Sequence, residues 1–183
     1  MSEVGMEISF PLDDDGFLRR DCPLCRGQFK VLVPEEQLKT LAQRGLEPYL
    51  LEEGLMEAEP DQEEDEETLT CPYCGQDSDA DSWWTEQQLN YLHAHLHNIL
   101  ADMVNRHLVQ PLKRRATRNV GGLISIRVDA QEMEHVEPWM PPEENDMTLF
   151  ELPCCGQRIK ITDEWMETVY CPFCHFPHRR ASE

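Results

Sequence analysis

The longest regular pattern of apolar positions lies in the middle of the chain. Between residues 86 and 108, apolar side chains recur at steps of three and four, which at 100° per residue places them in one stripe of a helix. Thr85 followed by Gln88 is a capping-box signature for the helix start, and Pro111 indicates its end. The pattern therefore predicts an amphipathic helix over residues 86 to 108, with a stripe formed by Leu89, Leu92, Leu96, Ile99, Leu100, Met103 and Val104.

Shorter patterns flank this helix. The segment PEEQLKTLAQRG predicts a short helix that ends near Gly45. The apolar positions of QFKVLV, ETLT, TLFELP and QRIKI predict strands, and a turn at Gly121 and Gly122 precedes another strand at about 123–128. Together these elements predict an α+β protein, with two small β modules around a central amphipathic helix.

The cysteines occur as close pairs, and three pairs have the spacing Cys-Pro-x-Cys. Two intervening residues let the backbone fold around one ion, and the proline restricts the turn. Core cysteines would not repeat this spacing, and a redox dithiol needs only one such pair. The pattern therefore predicts metal-ligand pairs at Cys22 and Cys25, Cys71 and Cys74, Cys154 and Cys155, and Cys171 and Cys174.

The pairs are predicted to form two sites, each a zinc ribbon. Because the cost of loop closure grows with loop length, pairs that are close in sequence are expected to share an ion. The first site then contains Cys22, Cys25, Cys71 and Cys74, and the second contains Cys154, Cys155, Cys171 and Cys174.

The adjacent cysteines 154 and 155 are unusual, since neighbouring side chains diverge in an extended chain. A tight turn at Gly156 would bring both sulfur atoms to one ion, and this arrangement is favoured. The alternative uses only one of the two cysteines and takes His175 or His178 as the fourth ligand.

The segments FPLDDDGFLRRDCPLC, CPYCGQ followed by WWTEQQL, and LPCCGQ before VYCPFC resemble a group of bacterial zinc-ribbon proteins, most of them without an assigned function. The resemblance covers the ribbons better than the middle of the chain. In those proteins a Cys-His pair can stand where Cys154 and Cys155 stand here, which implies that both members of the adjacent pair are ligands. The resemblance implies no activity.

The predicted cofactor is zinc, with two ions per chain. Iron in a rubredoxin-like site also accepts four thiolates, but zinc is the usual ion of ribbons. A site closed by four thiolates has no open position for water, so both ions are predicted to be structural. The HAHLH run places His93 and His97 on one helical face, but Ala94 stands where a metalloprotease has glutamate. With no other catalytic motif in the sequence, the chain is predicted not to be an enzyme.

Charge is the other strong feature, with a formal net charge of −20. Residues 52–67 include ten carboxylates and no base, which predicts a solvated acidic insertion or, alternatively, a segment that docks on a basic partner. Positive charge gathers after the long helix in a basic strip. This strip consists of Arg106, Lys113, Arg114, Arg115 and Arg118.

Two tryptophans, Trp83 and Trp84, precede the long helix. They either pack that helix against the first ribbon or serve as exposed anchors for a partner. The possible partner-binding residues are therefore these two side chains together with Lys113, Arg114, Arg115 and Arg118.

The predicted order of modules is an N-terminal ribbon (1–84), a central helix (85–110), a segment with the basic strip, a strand and a proline-rich linker (111–146), and a C-terminal ribbon (147–183). The favoured function is a non-enzymatic zinc-binding adaptor or accessory protein that binds a protein partner. Association with nucleic acid is the alternative, although the negative net charge opposes it. An enzyme or redox regulator is a third interpretation.

The sequence also predicts where the protein is found. It contains no run of 18 apolar residues, and its N-terminus has neither a basic start nor an apolar core. We therefore expect no membrane span and a cytoplasmic location.

Overall fold

The computed structural model describes residues 8–52, 68–79, 82–116 and 130–179. The acidic insertion beyond residue 52, Arg118 and the strand predicted at 123–128 lie outside the described residues, as does the side chain of Arg115. The fold is α+β, as predicted. Its described elements are β1 (Phe17–Asp21), β2 (Gln28–Leu32), α1 (Glu35–Glu52), β3 (Thr68–Thr70), β4 (Asp77–Asp79), α2 (Glu86–Val104), a π-helical turn (Asn105–Val109), α3 (Gln110–Ala116), β5 (Thr148–Glu151), β6 (Arg158–Ile161), β7 (Thr168–Tyr170) and β8 (Pro177–Arg179).

The predicted ribbons share one sheet. Four antiparallel strands lie in the order β1-β2-β6-β5, so that β2 from the N-terminal part pairs directly with β6 from the C-terminal part. Strands β3 and β4 form one separate hairpin, and β7 and β8 form another. Of the described residues, those up to 89 and from 140 onward belong to one compact unit, which contains all of these strands, and those between 90 and 139 form a second unit.

Alternation along the strands gives the shared sheet two different faces. One face buries apolar side chains, among them Leu18, Phe29, Val31, Ile159 and Ile161. The ring of Trp83 packs edge-on against Phe29 at 5.5 Å between centroids. The opposite face carries the charged residues Arg19, Lys30 and Lys160 at facing register positions.

Helix α1 is longer than predicted. It was expected to end near Gly45, but it continues through Gly45 and Pro48 to Glu52. The reason is a row of buried side chains spaced one helical turn apart, formed by Leu38, Ala42 and Leu46. Burial of Leu46 beyond the glycine offsets the roughly 0.5–1 kcal/mol that a glycine costs inside a helix.

Helix α2 begins as predicted. The amide of Gln88 donates to Oγ1 of Thr85 at 3.2 Å, and the amide of Thr85 donates to Oε1 of Gln88 at 3.0 Å, which is a complete capping box. None of the helices that the structure describes is long and apolar enough to span a membrane.

The predicted end of the long helix at Pro111 was wrong, because helical structure continues to Ala116. The π-helical turn precedes the proline, and the amide of Gln110 bonds the carbonyl of Asn105. A proline has no amide hydrogen, and its ring crowds the carbonyl four residues earlier. A wider turn at this position relieves that crowding, so the chain passes the proline without leaving the helix.

Candidate metal centres

Four turns with the same backbone hydrogen bonds carry the cysteines. In each turn the first residue's amide bonds a carbonyl five residues later, as in Cys22 to Gly27 (3.1 Å) and Cys71 to Gln76 (2.9 Å). The fifth residue of each turn has positive φ: 61° at Arg26, 69° at Gly75, 68° at Gly156 and 62° at His175. The turns therefore begin at Cys22, Cys71, Leu152 and Cys171.

The first cluster joins the turn after β1 to the turn after β3. Sγ of Cys22 lies 3.9 Å from Sγ of Cys74, and Sγ of Cys25 lies 3.6 Å from Sγ of Cys71. The four sulfur atoms lie within 4.8 Å of one another. Backbone amides also point at the sulfurs, since the amide of Cys25 donates to Cys22 and that of Tyr73 to Cys71.

The second cluster joins the turn after β5 to the turn after β7. Sγ of Cys155 lies 3.8 Å from Sγ of both Cys154 and Cys171, and Cys174 completes the group within 4.8 Å. As predicted, the turn at Gly156 brings both adjacent cysteines to one group. Three of the four turns begin with a cysteine, whereas here the fully buried Leu152 takes that place and Cys154 stands two residues further on.

These donor sets fit zinc. A tetrahedral Zn²⁺ with Zn–S bonds of about 2.3 Å separates its sulfur ligands by about 3.8 Å, and the separations above agree with this value. All eight cysteines are free thiols. Burial and the neighbouring Cys171 and Cys155 sulfurs raise the pKa of the Cys154 thiol to about 12. A divalent cation at the centre would offset this repulsion between thiolates. The cation would therefore lower the pKa of the thiols, so that the coordinating cysteines are deprotonated.

The two predicted histidine alternatives lie outside the sulfur groups. Nδ1 of His175 contacts Oγ1 of Thr70 at 2.5 Å and Oδ1 of Asp77 at 3.0 Å, and Thr70 also donates to Asp77. The hydrogen bonds from Thr70 and His175 lower the pKa of Asp77. Because Thr70 and Asp77 meet the same ring nitrogen, the trio links two hairpins and does not reproduce the relay of a nucleophile, a base and an orienting acid.

The hairpins that carry Cys71 and Cys171 also pair with each other. The amide of Thr70 donates to the carbonyl of Pro172 at 3.1 Å, and the amide of Tyr170 donates to the carbonyl of Pro72 at 3.0 Å. These reciprocal bonds relate the two hairpins by a local pseudo-two-fold arrangement. The hairpins that carry parts of the two cysteine clusters therefore form one connected frame.

Tyr73, in a turn of the first cluster, connects that turn to both halves of the shared sheet through its side chain. Its hydroxyl donates to the carbonyl of Gln28 at 2.5 Å and accepts from the amide of Thr162 at 3.1 Å. Its ring packs edge-on against Trp165 at 4.9 Å between centroids. Burial raises the pKa of this phenol, so it stays protonated as a donor. A Cβ atom at Gly27 would lie 2.5 Å from the ring, which explains why this position carries glycine.

The structure corrects the assignment of Trp83 and Trp84 as partner-binding residues. Both are buried, with Trp83 fully inaccessible. Nε1 of Trp83 donates to the carbonyl of Ser78, and the guanidinium of Arg20 lies 4.9 Å from the ring centroid of Trp84. The first alternative, packing against the first ribbon, is the one observed. Among the described tryptophans, the exposed one is Trp139, at 72%.

The structure describes the side chains of three residues of the basic strip. Arg106, Lys113 and Arg114 are exposed, and Nζ of Lys113 lies 2.8 Å from Oε1 of Glu132. The histidine run adds no metal group: within the described ranges, the groups of three or more ligand side chains are the two cysteine clusters. His95 packs edge-on against Tyr91 at 4.6 Å, and burial lowers its pKa.

The structure reveals a duplication that was not predicted above. DCPLCRGQFKV around β1 and β2 aligns with ELPCCGQRIKI around β5 and β6, and the second member places Leu152 where the first has Cys22. The alignment of the two segments predicts the shared turn and places Lys30 and Lys160 at equivalent positions, and the pairing of β2 with β6 makes them face each other. The Cys-Pro-x-Cys spacing alone does not show the repeat, because Leu152 stands in place of the first cysteine, and the two segments are alike only over their full length.

No protein-family model, no curated protein and no solved structure matches this chain. The resemblance to bacterial zinc-ribbon proteins therefore stays a prediction, and the assignment of the site depends on the geometry of the two sulfur clusters.

Proposed function

We propose that this chain is a non-enzymatic zinc-binding adaptor or accessory protein that binds a protein partner. The observation that carries the proposal is the closure of both clusters, in which four sulfur atoms lie within 4.8 Å of one another and the individual separations given above, 3.6 to 3.9 Å, fit a zinc tetrahedron. Four protein ligands leave no position for a substrate or a water molecule. Each zinc ion would therefore fix the frame and would not act as a Lewis acid.

The partner surface that we propose lies in the second unit, on α2, the π-helical turn and α3. This helical run exposes apolar side chains at Met103, Leu108 and Leu112, with exposed fractions of 37%, 59% and 39%. Arg106 and Arg114 stand in the same run and are exposed. Apolar side chains bordered by charge are the usual materials of a partly electrostatic protein interface.

A protein is favoured over nucleic acid because of the balance of charge. Affinity for a duplex comes largely from neutralising phosphates, and a chain with a net charge of −20 is repelled overall. A protein partner with its own acidic patch needs to match only the local basic strip.

The test is a charge reversal with a matched control. The variant K113E/R114E/R115E is compared with K39E/R158E/R179E, which makes the same change in net charge at exposed residues of the other unit. Tagged full-length protein is used for capture from its native host, with and without nuclease, followed by mass spectrometry. We expect the first variant to lose a protein partner in a salt-sensitive way, while the control retains it and both keep wild-type helicity and zinc content.

The opposite result would be equally clear. A variant that retains its protein partners but loses DNA or RNA in a shift assay would replace the adaptor interpretation with the nucleic-acid interpretation.

A further inference from the structure

The second unit contains a helix that holds an extended segment by its main chain. Nδ2 of Asn98 donates to the carbonyl of Val136 at 2.8 Å, and Oδ1 of Asn98 accepts from the amide of Val136 at 2.9 Å. Asn105 makes the same pair of bonds to Met133, both at 2.8 Å. Seven residues, or two helical turns, separate the asparagines, so both lie on the same side of the helix.

Side-chain contacts flank this pair of main-chain contacts. Oδ1 of Asp102 lies 3.0 Å from Nε2 of His135. At the other end, Nζ of Lys113 and Nε2 of Gln110 both donate to Oε1 of Glu132, at 2.8 and 2.7 Å. The side chains of the helix therefore contact an acidic residue of the segment, Glu132, and a basic residue three positions later, His135.

The segment buries little of its own surface. Residues 131–137 are exposed, and the side chains of Met133 and Val136 remain 38% and 43% exposed. Exposed hydrogen bonds and exposed ion pairs contribute little net stability, because water offers similar partners. The hydrogen bonds from the asparagine side chains go to the main chain of the segment, so they do not depend on its sequence and another extended chain can make them. The contacts that hold this segment are therefore contacts that another peptide can replace.

From this arrangement we propose that the face of α2 and α3 with Asn98, Asp102, Asn105 and Lys113 is a docking site for an extended peptide of a partner protein. The peptide carries an acidic residue and, three residues later, a basic residue. Residues 132–136 of this chain occupy the site in cis and compete with that peptide. This inference rests on the proposed function and specifies the chemistry of the partner.

Local charge and apolar exposure support a partner in trans. The end of the site at Lys113 is basic, which favours the acidic residue of the peptide. The same helical run exposes Leu108 and Leu112, and the cis segment leaves both exposed. A partner peptide with apolar side chains beyond its acidic and basic residues would gain contacts with Leu108 and Leu112 that the cis segment lacks.

The experiment uses the full-length protein and a synthetic peptide. Residues 131–137 are replaced by glycine and serine at equal length, which removes the competitor and keeps the chain connected. A fluorescently labelled peptide with the sequence AQEMEHVEP is titrated in an anisotropy assay. We expect it to bind the replaced variant at least about tenfold more tightly than the wild type, because a tethered competitor acts at an effective concentration in the millimolar range.

Two controls test the main-chain contacts directly. Adding N98A and N105A to the replaced variant should abolish binding, with helicity and zinc content unchanged. A peptide N-methylated at the amides corresponding to Met133 and Val136 should fail to bind. A peptide N-methylated at those of Glu134 and His135, which the asparagines do not contact, should bind normally.

Equal binding of both methylated peptides, or no binding to the folded replaced variant, would overturn the inference. Failure of this proposal is distinguishable from failure of the adaptor function. If N98A/N105A retains a captured protein partner that K113E/R114E/R115E loses, the docking site is wrong and the adaptor function stands. If the peptide binds as expected but capture yields no protein partner, the adaptor function fails and the peptide site remains.

Discussion

Lys30 on β2 and Lys160 on β6 lie directly opposite each other in the shared sheet, and both ammonium groups contact the same carboxylate oxygen of Asp13, at 3.3 and 2.9 Å. Like charges at facing positions destabilise a sheet unless a counter-ion intervenes. Both lysines and Asp13 are buried, so water does not screen the repulsion. Asp13 is therefore the central counter-ion where the two halves of the chain meet.

A second acidic segment completes this charge network. Glu143 and Asp146 accept from Arg19 at 2.8 and 2.5 Å, and both also contact Nζ of Lys30. The carbonyl of Glu144 accepts from Lys30 as well. Burial opposes the charge of Arg19, but these carboxylates raise its pKa, so the guanidinium remains charged.

We predict that Asp13→Asn lowers the free energy of unfolding by up to about 3–5 kcal/mol, because removing one partner leaves buried charges without full compensation. The measurement is chemical denaturation at saturating zinc. Asp15→Asn is the matched control, since Asp15 contacts Lys160 at 2.5 Å but its side chain is 59% exposed. Its effect should stay below about 1 kcal/mol. An equal loss in the two variants would contradict the central role of Asp13.

The comparison of the wild type with Asp13→Asn also gives a prediction about the pH dependence of stability. Burial raises the pKa of Asp13, but the hydrogen bonds that its carboxylate accepts lower the pKa by more, so the net pKa lies below 3.8. These bonds come from Lys160, the amides of Phe17 and Asp15, and Lys30. A carboxyl with a lowered pKa contributes stability that is present above its unfolded value and lost as the pH falls through the folded value. The difference in stability between wild type and Asp13→Asn should therefore stay constant from about pH 8 to pH 5. A difference that shrinks within this range would show that Asp13 is not held ionised.

Tyr73 provides a test of the connection between the first cluster and the shared sheet that leaves all eight cysteines intact. Tyr73→Phe removes the hydroxyl that joins the Gln28 carbonyl to the Thr162 amide, and should cost about 1–3 kcal/mol because both groups lose a buried partner. Zinc content should remain two per chain. Tyr170→Phe is the control, since within the described ranges its hydroxyl makes no hydrogen bond, and it should change stability by less than about 0.5 kcal/mol.

Local chemistry made the start of α2 and the cysteine turns predictable from the sequence. The bonds between Thr85 and Gln88 span three residues, and each turn closes over six. The information for such features lies within one short segment. The two cysteine groups also followed from the cost of loop closure.

Features that depend on distant packing were not predictable in this way. Helix α1 passes Gly45 because Leu46 is buried beyond it, and helical structure continues through Pro111 because the π-helical turn before it makes room for the proline ring. Neither fact is visible in the local pattern of apolar residues. The role of Asp13 depends on a strand pairing between residues far apart in sequence, so its place between Lys30 and Lys160 could not be read from its own neighbours.

Metal content is the most direct prediction about the sites. The purified protein should carry two zinc ions per chain by elemental analysis, and Cys71→Ser or Cys171→Ser should each reduce the content to one. Structural zinc contributes roughly 10–16 kcal/mol in isolated zinc-finger peptides, so each variant should also unfold at least the hairpin that carries the lost ligand. Predominantly iron in the wild type, or an unchanged melting temperature in either variant, would contradict structural zinc.

The departure of the second cluster from the common turn gives the most specific prediction. Leu152 occupies the first turn position that Cys22 occupies in the first cluster, and both side chains are fully buried. Cys154 stands at the position of Leu24, which is exposed at 60%. Exchanging the two residues in the double variant L152C/C154L would give the second turn the arrangement of the first.

We expect Cys154→Leu alone to lose one zinc ion, because the second cluster then retains only three thiolates. The double variant L152C/C154L should bind two zinc ions again, since a sulfur at position 152 would start from the same turn geometry that places Cys22 in its cluster. Native mass spectrometry measures the number of bound ions, and competition with a chelator measures their retention. The single variant L152C, which offers five thiols, controls for the added cysteine and should also bind two. If C154L kept both ions, Cys154 would not be a ligand. If the double variant bound only one, the equivalence of the turns would not extend to the direction of their side chains.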